Sequence, residues 1–266
     1  MAMENGQCMI EDVGMSNLQF PIRVLSGRNA RGQDTVANIT VNARILRQFE
    51  ARWIDRFIRV LHRHRGVVGA EALRVQALDY LHALDARAVT VTYDFPYFME
   101  KLTPVSAEKC LVRYRCAYAT RVHAIHSDPT VMFRIEVPVI TTYPGSSKQG
   151  RGGLFGQLSR IALEVMGGGD IYPEDLVAMV ERHALAPLYS YLSDEDQTHI
   201  IERVHAGERT SVMVVDAIKR DLARRRDIDW YGVKSYNYGM LHSYSTMVGL
   251  EKSPWIPFSG YDAADI

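Results

Sequence analysis

RAVTVTYDFPYF (Arg87–Phe98) and KCLVRYRCAYATRVHAIH (Lys109–His126) decide the fold. In both, apolar and polar residues alternate with a period of two, and β-branched and aromatic residues are frequent. That is the pattern of strands with one buried face. Working back from Arg87, the period changes. GAEALRVQALDYLHALD (Gly69–Asp85) reads as a helix with Ala72, Val75, Leu78 and Leu81 or Leu84 on one stripe. QFEARWIDRFIRVLHRH (Gln48–His64) reads as another, with Phe49, Trp53, Phe57, Val60, Leu61 and His64 near 3.6-residue spacing. Further back, TVANITVNARI (Thr35–Ile45) and LQFPIRVL (Leu18–Leu25) are strands joined by the turn-rich SGRNARGQD. Pro21 puts the earlier strand at an edge, because proline has no N–H for a ladder. Residues 18–126 thus read ββααββ.

Working forward, the order repeats. TVMFRIEVPVITTY (Thr130–Tyr143) and LSRIALEVM (Leu158–Met166) are strands. YPEDLVAMVERHALAPLYSYL (Tyr172–Leu192) reads as a helix, with Pro173 in its first turn and Glu174 and Asp175 near its positive N-terminal dipole. Another helix is predicted over about 208–225, then strands in DIDWYGVKSYN (Asp227–Asn237) and MLHSYSTMVGL (Met240–Leu250). The fold class is α+β, with two ββααββ units in tandem. The boundaries are an N-terminal arm over 1–16, a first unit over 17–128, a second over 129–251 and a tail over 252–266. Open edges of long antiparallel sheets invite aggregation, so closure into a barrel by several subunits is expected.

The 266 residues balance 31 basic against 31 acidic side chains, so no bulk field attracts nucleic acid or an acidic membrane surface. No apolar run approaches the length of a membrane span, and no signal peptide is visible. Cys8, Cys110 and Cys116 form neither an even set nor a CxxC pair, which favours free thiols and a cytoplasmic protein.

Several clusters invite a chemical reading. His123 and His126 face opposite sides of a strand. His199 and His205, on either side of Glu202, diverge by about 120° around a helix. Neither set converges on a metal. His62, His64 and Arg65 suit a helix C-terminus. The hairpin after Val137–Thr142 is richer. Ser146, Ser147, Lys148 and Arg151, among Gly150, Gly152 and Gly153, could let backbone N–H groups and two cations approach an anion. Tyr143 could stack on a planar ligand.

Four stretches carry a resemblance: IEDVGMSNLQFPI (Ile10–Ile22), FPYFMEKLTPVS (Phe95–Ser106), VPVITTYPGSSK (Val137–Lys148) and YPEDLVAMVE (Tyr172–Glu181). In order and spacing they resemble the GTP cyclohydrolase IB family, bimodular enzymes of the tunnelling fold (T-fold) that open GTP on the way to folate-type pterins. The resemblance covers most of the chain. It implies tandem ββααββ units, a homo-oligomeric barrel, typically a tetramer, and small-molecule pockets between subunits.

The family's chemistry is not carried over residue for residue. Its Cys-Pro-Cys-Ser-Lys segment, whose cysteine binds the metal, reads Tyr143-Pro144-Gly145-Ser146-Ser147-Lys148. Its His-Asn-Gln-Arg motif falls in QGRGGLFGQLSR (Gln149–Arg160), which has no histidine. The ligand Glu before the last helix matches Gln197, and the Glu that anchors guanine matches Val212. The His-Met-Ser-Arg-Phe motif reads Trp53-Ile54-Asp55-Arg56-Phe57, and the closing Glu-Ser-Ile-His-Asn-His segment reads Gly239 to Tyr244 with His242. Hydrolysis at the purine's C8 needs a metal-activated water and about three thiolate, imidazole or carboxylate ligands. The expectation is therefore a repurposed enzyme without metal or other cofactor. It would act on a small planar or anionic molecule, with His242, Tyr143 and Lys148 as catalytic candidates and Ser146, Ser147, Arg151, Gln197 and Arg56 as binding candidates. A non-catalytic ligand- or partner-binding homologue and a cyclohydrolase with a relocated metal remain as alternatives.

Overall fold

Alternation over 86–123 produces two long strands that pair along their whole length. The computed structural model describes residues 11–45, 53–125 and 128–252; Cys8, Phe49 and His126 lie outside them. The elements are β1 (Glu11–Val24), β2 (Gln33–Ile45), α1 (Trp53–Arg63), β3 (Val67–Val68), α2 (Ala70–Ala83), β4 (Ala86–Leu102) and β5 (Lys109–His123). They continue with β6 (Thr130–Thr142), β7 (Gly156–Met166), α3 (Pro173–His183), β8 (Ala186–Pro187), α4 (Asp194–Ala206), α5 (Ser211–Leu222), β9 (Trp230–Tyr238) and β10 (Ser245–Glu251). All strands join one sheet in the order β10-β9-β7-β6-β5-β4-β2-β1-β3, with β8 on β6. Chain neighbours are sheet neighbours except where helices intervene. The central seam pairs Arg115–Arg121 of β5 with Thr130–Glu136 of β6.

The helices cover one face: α2 lies on β4, β5 and β6, α3 on β6, and α5 on β9, β10 and β6. The strands turn their apolar series to that face. Tyr93, Phe95 and Tyr97 of β4 meet Tyr118, Cys116 and Tyr114 of β5 as direct cross-strand partners, and all six are buried. Tyr118 packs between Phe95 and Phe133, with ring centroids 5.9 and 4.8 Å away. Cys110 and Cys116 are buried free thiols. The opposite face is charged over its middle, where Glu136 lies 3.7 Å from Arg134 and 3.5 Å from Arg160 and the Arg160 guanidinium sits over the Tyr236 ring; at one end α4 packs on it through Ile200 and Val204, against Ile140.

The structure departs from the sequence reading at identifiable places. β1 begins at Glu11, inside the segment read as an arm over 1–16. Its alternation is broken by a register shift between Met15 and Leu18, where Asn17 takes a φ of 59°. The stripe assigned to α2 holds only in its later half: Leu81 and Leu84 are buried and Leu78 is partly so, but Ala72 and Val75 are exposed, and Leu73, Gln76, Ala77 and Tyr80 face the core. This helix is apolar on two sides, so periodicity alone could not choose. The helix read over 172–192 stops at His183, because the ring of Pro187 would clash with the carbonyl one turn back. Ala184 is already extended, and Pro187 pairs with Val139 of β6. α4, which follows, is set off by a capping box between Ser193 and Asp196. β10 begins at Ser245, five residues later than read.

Acidic side chains of the later half bind groups of the earlier half. Glu174, in the first turn of α3, accepts from Ser26 Oγ at 2.5 Å, Tyr97 OH at 2.6 Å and Gly27 N at 3.3 Å. Glu181 accepts from Lys101 Nζ at 2.7 Å and Tyr114 OH at 3.0 Å. Asp196 accepts from Val105 N, Ser106 N and Ser106 Oγ at 2.7–3.0 Å. Asp170 accepts from Ala70 N at the start of α2. Burial pushes the Glu174 carboxyl up, but the bonds from Ser26, Tyr97 and backbone N–H groups outweigh it and hold it below its ordinary value.

A second device occurs in each helix pair. Arg63 and His64, ending α1, converge on Asp79 of α2 at 3.3 and 2.7 Å. Arg182 and His183, ending α3, converge on Asp221 of α5 at 2.8 and 2.6 Å. The His183 hydrogen bond is the main reason the Asp221 carboxyl lies below its ordinary range.

Replacing Glu174 by Ala leaves the buried Tyr97 and Ser26 hydroxyls without their acceptor. The expected cost is about 1.5–3 kcal/mol, a fall in melting temperature of roughly 4–10 °C, with a smaller fall for Glu174→Gln; calorimetry measures both. Glu174 and Asp221 both titrate lower in the folded chain than in the unfolded one. Their contribution is complete above about pH 4.5 and disappears as pH falls through the lowered values. The melting temperature should stay level from pH 7 to 5 and drop below pH 4. A rise on acidification would contradict this assignment.

Candidate functional site

Strands β6, β7 and β9 end together, because Thr142 pairs with Gly156 and Leu158 with Tyr238. The hairpin 143–155 closes this end. Tyr143 N donates to Phe155 O at 3.0 Å, and the two rings stack with centroids 4.9 Å apart and planes 16° apart. Two glycines give the Tyr143 ring its place. A Cβ on Gly145 would stand 2.7 Å from one edge of the ring, and a Cβ on Gly239 3.0 Å from the other. α4 packs close behind, since a Cβ on Gly156 would meet Ile140 at 2.7 Å and Val204 at 3.1 Å.

Beside Phe155 lies a groove of about 420 Å³. Its lining includes Ile140, Leu158, Ile201, Val204, His205 and Met240; Gln157 borders it, with its side chain turned to the helix-covered face, where it meets Thr141. His205 Nδ1 donates to Leu154 O at 2.6 Å. Behind Gln157 runs a buried polar chain. Gln157 Nε2 donates to Thr141 Oγ1 at 3.3 Å, and Thr141 Oγ1 lies 2.7 Å from Ser159 Oγ. Ser159 and Ser235 both donate to Asn237 Oδ1 at 2.8 Å. Asn237 Nδ2 donates to Ser211 Oγ and Thr246 Oγ1.

The candidates read from sequence are distributed unevenly over this site. Tyr143 lies at its centre. Ser146 Oγ donates to Tyr143 O at 2.7 Å and so shapes the turn, and Ser147 Oγ accepts from Gln149 N. Lys148 and Arg151 are exposed at the hairpin tip. Gln197 is exposed one turn before Ile201 on α4, donating to Leu192 O at 3.4 Å. His242 stacks on Tyr244 in the β9–β10 turn, centroids 4.8 Å apart. Arg56 lies on α1 and donates to Ala83 O beside the start of β4. The strand registers put that point at the opposite end of the sheet from Tyr143 within one chain. Phe155, Gln157, Gly239 and Met240 had not been singled out. The sequence signal for Phe155 and Gln157 was the glycine-rich connection leading into β7, and for Gly239 and Met240 the closing segment matched by resemblance.

The metal that the resemblance implies does not fit these residues. By the resemblance, Tyr143 and Gly145 would stand in the segment of the family's cysteines, and Gln197 in place of a carboxylate. Phe155 lies in the segment where the family has its histidine, and its ring is packed on Tyr143. Among the described residues no three or more His, Cys, Asp or Glu side chains group so as to hold a metal.

Comparison with known proteins agrees with the motifs. GTP cyclohydrolase FolE2 of Syntrophotalea carbinolica is 27% identical over 254 residues, covering 96% of this chain and 94% of that protein. GTP cyclohydrolase FolE2 of Halorhodospira halophila is 28% identical over 250 residues, covering 92% and 94%. Among solved structures, uricase from Arthrobacter globiformis superposes with a TM-score of 0.53 at 8% identity over 97% of this chain and 98% of that one. Urate oxidase from Bacillus sp. TB-90 gives 0.53 at 8% identity over 92% and 100%. At such identities these two show a shared fold alone. A family model described as type I GTP cyclohydrolase folE2 matches residues 2–248, and the chain belongs to that family.

Proposed function

We propose that this chain is a GTP cyclohydrolase-like protein that keeps the family's fold and small-molecule site but works without the family's metal. It acts on a small planar substrate at the β6–β7–β9 end of the sheet. The observation that carries this reading is the Tyr143–Phe155 stack. By the resemblance the two rings belong to the family's metal-binding segments, and a phenol, a phenyl ring and the amide of Gln197 are not a ligand set for an ion that activates water. The position that anchors guanine by resemblance holds Val212, which cannot accept from an N–H.

In this reading Tyr143 supplies an aromatic surface, and His242 serves as acid or base where its ring is accessible. Lys148 and Arg151, with Ser146 and Ser147, form a cationic rim; Gln197 and Arg56 bind substrate, Arg56 from a neighbouring subunit. The site lies between subunits of a homo-oligomer, a tetramer, in the cytoplasm. What supports an oligomer is the sheet's two open edges. Among the described residues β10 pairs only with β9, and β1 beyond its β2 partner pairs only at Arg23 and Val24. Two tandem units closing as a barrel would cover both.

A second reading, metal-dependent opening of GTP with ligands brought from elsewhere, is favoured by the family match over residues 2–248. Incubation of the purified protein with GTP and Zn²⁺ or Mn²⁺, with and without chelator, separates the two by mass spectrometry. The expected result is unchanged GTP beside a folded oligomer. Formate and a pterin triphosphate that vanish with chelator would overturn the proposal. Replacing both Lys148 and Arg151 by Ala should leave the melting temperature within about 2 °C, since exposed charges contribute little to stability. A larger fall would show that the rim holds the hairpin together.

A further inference from the structure

We infer that a groove along α5 binds a small molecule carrying two phosphate groups, at a site separate from the one beside Tyr143. The inference does not depend on the function proposed above. The groove has a volume of about 400 Å³, enough for a small metabolite. It follows the face of α5 turned away from the sheet, with His183 at the end of α3 in its wall. Arg209, Arg220 and Arg224 line it, with Asp216 and Asp221 beside them. The two aspartates do not cancel the three arginines. The Asp221 carboxylate is already committed to Arg182 and His183, at 2.8 and 2.6 Å, and stands 3.9 Å from Arg224. Arg220 Nε donates to the Asp216 backbone carbonyl at 3.3 Å, and among the described residues its two terminal nitrogens and the whole Arg209 guanidinium have no protein partner. The Arg209 backbone is fixed nonetheless: its N donates to Thr142 Oγ1 and its O accepts from Thr142 N, both at 2.7 Å.

The first half of the chain shows that the helix clamp needs no such arginines. There Asp79 takes the part of Asp221, with Arg63 and His64 as its partners. At the positions that correspond to Arg224, Arg220 and Arg209, counted from Asp79, stand His82, Leu78 and Val67. The second half has added a surplus of positive charge to a device that works without it. The spacing of that charge sets the ligand. Arg220 and Arg224 lie one turn apart on one face, so two planar forks can converge on a single phosphate. Arg209 is at the other end of the groove, roughly 16 Å from Arg220 at the rise of a helix, and so meets a second anionic group. Met213 and Ala217 lie between as a small apolar floor, and the Asp216 carboxylate can accept from a hydroxyl in the middle of the ligand.

The test uses the whole chain and two probes that differ by one phosphate, fructose 1,6-bisphosphate and fructose 6-phosphate. Titration calorimetry should show saturable binding of the bisphosphate, about tenfold tighter than the monophosphate, with both affinities falling as salt is raised. In Arg209→Gln the difference between the probes should vanish while the monophosphate keeps its affinity within about twofold. Replacing both Arg220 and Arg224 by Gln should weaken both probes about tenfold or more. Each variant should melt within about 2 °C of the unaltered protein, since exposed arginines contribute little to stability. Equal affinities for the two probes in the unaltered protein, or no saturable binding at about 10 mM, would overturn the inference. So would a loss of binding caused by replacing Lys148 and Arg151 and not the arginines of α5, which would put the anion on the hairpin. Tighter binding of an oligoglutamate peptide than of the bisphosphate would likewise overturn it, in favour of an acidic protein partner.

Discussion

A buried carboxylate with no cation among its hydrogen-bond partners joins the two halves of this chain. Glu174 is satisfied by a serine hydroxyl, a tyrosine hydroxyl and a backbone N–H, all from the first half. A charge removed from water needs several donors at once. The β1–β2 turn, β4 and the start of α3 can therefore occupy only one relative arrangement. Asp170, Glu181 and Asp196 also bind groups of the first half, Glu181 with the Lys101 ammonium among its partners. The acidic groups lie in the second half and most of their donors in the first, so the halves interlock as well as share the β5–β6 seam.

The candidate site inherits its geometry from this arrangement. Asp196 starts α4 by capping it and at the same time holds the β4–β5 turn. α4 then lies against the β6–β7 hairpin closely enough that Gly156 admits no side chain. The Tyr143–Phe155 stack occupies what remains, flanked by Gly145 and Gly239. Three glycines, two rings and one amide define the site more than any charged group does. The buried polar network beside it is collective: reversing Asn237 would reverse every hydroxyl as far as Gln157.

Strands were legible wherever one face is buried, as in β4 to β7, because alternation then follows directly from burial. β1 escaped in part because the bulge at Asn17 shifts the alternation by one step. Pro173 and Glu174 were read correctly as a helix start, yet the dipole argument alone did not reveal that Glu174 is buried and binds Tyr97, a residue far away in the chain. Arg56 and Tyr143 were grouped by motif, and the sheet registers set them at opposite ends of one chain. Phe155 and Gln157 went unremarked because a phenylalanine and a glutamine gain meaning only from what they face.

By itself the sequence determined the order of the long strands, the helices that start at Pro173 and over about 208–225, the edge position of Pro21 and the family resemblance. These are properties of residue type and spacing, and both are local. Only the tertiary structure decided which stripe of α2 is buried, which carboxylates bridge the halves, and that an apolar groove between α4 and the β6–β7 hairpin lies beside the aromatic stack. Each of those depends on groups distant in the chain meeting at hydrogen-bond or van der Waals distance, and no periodicity encodes which ones meet.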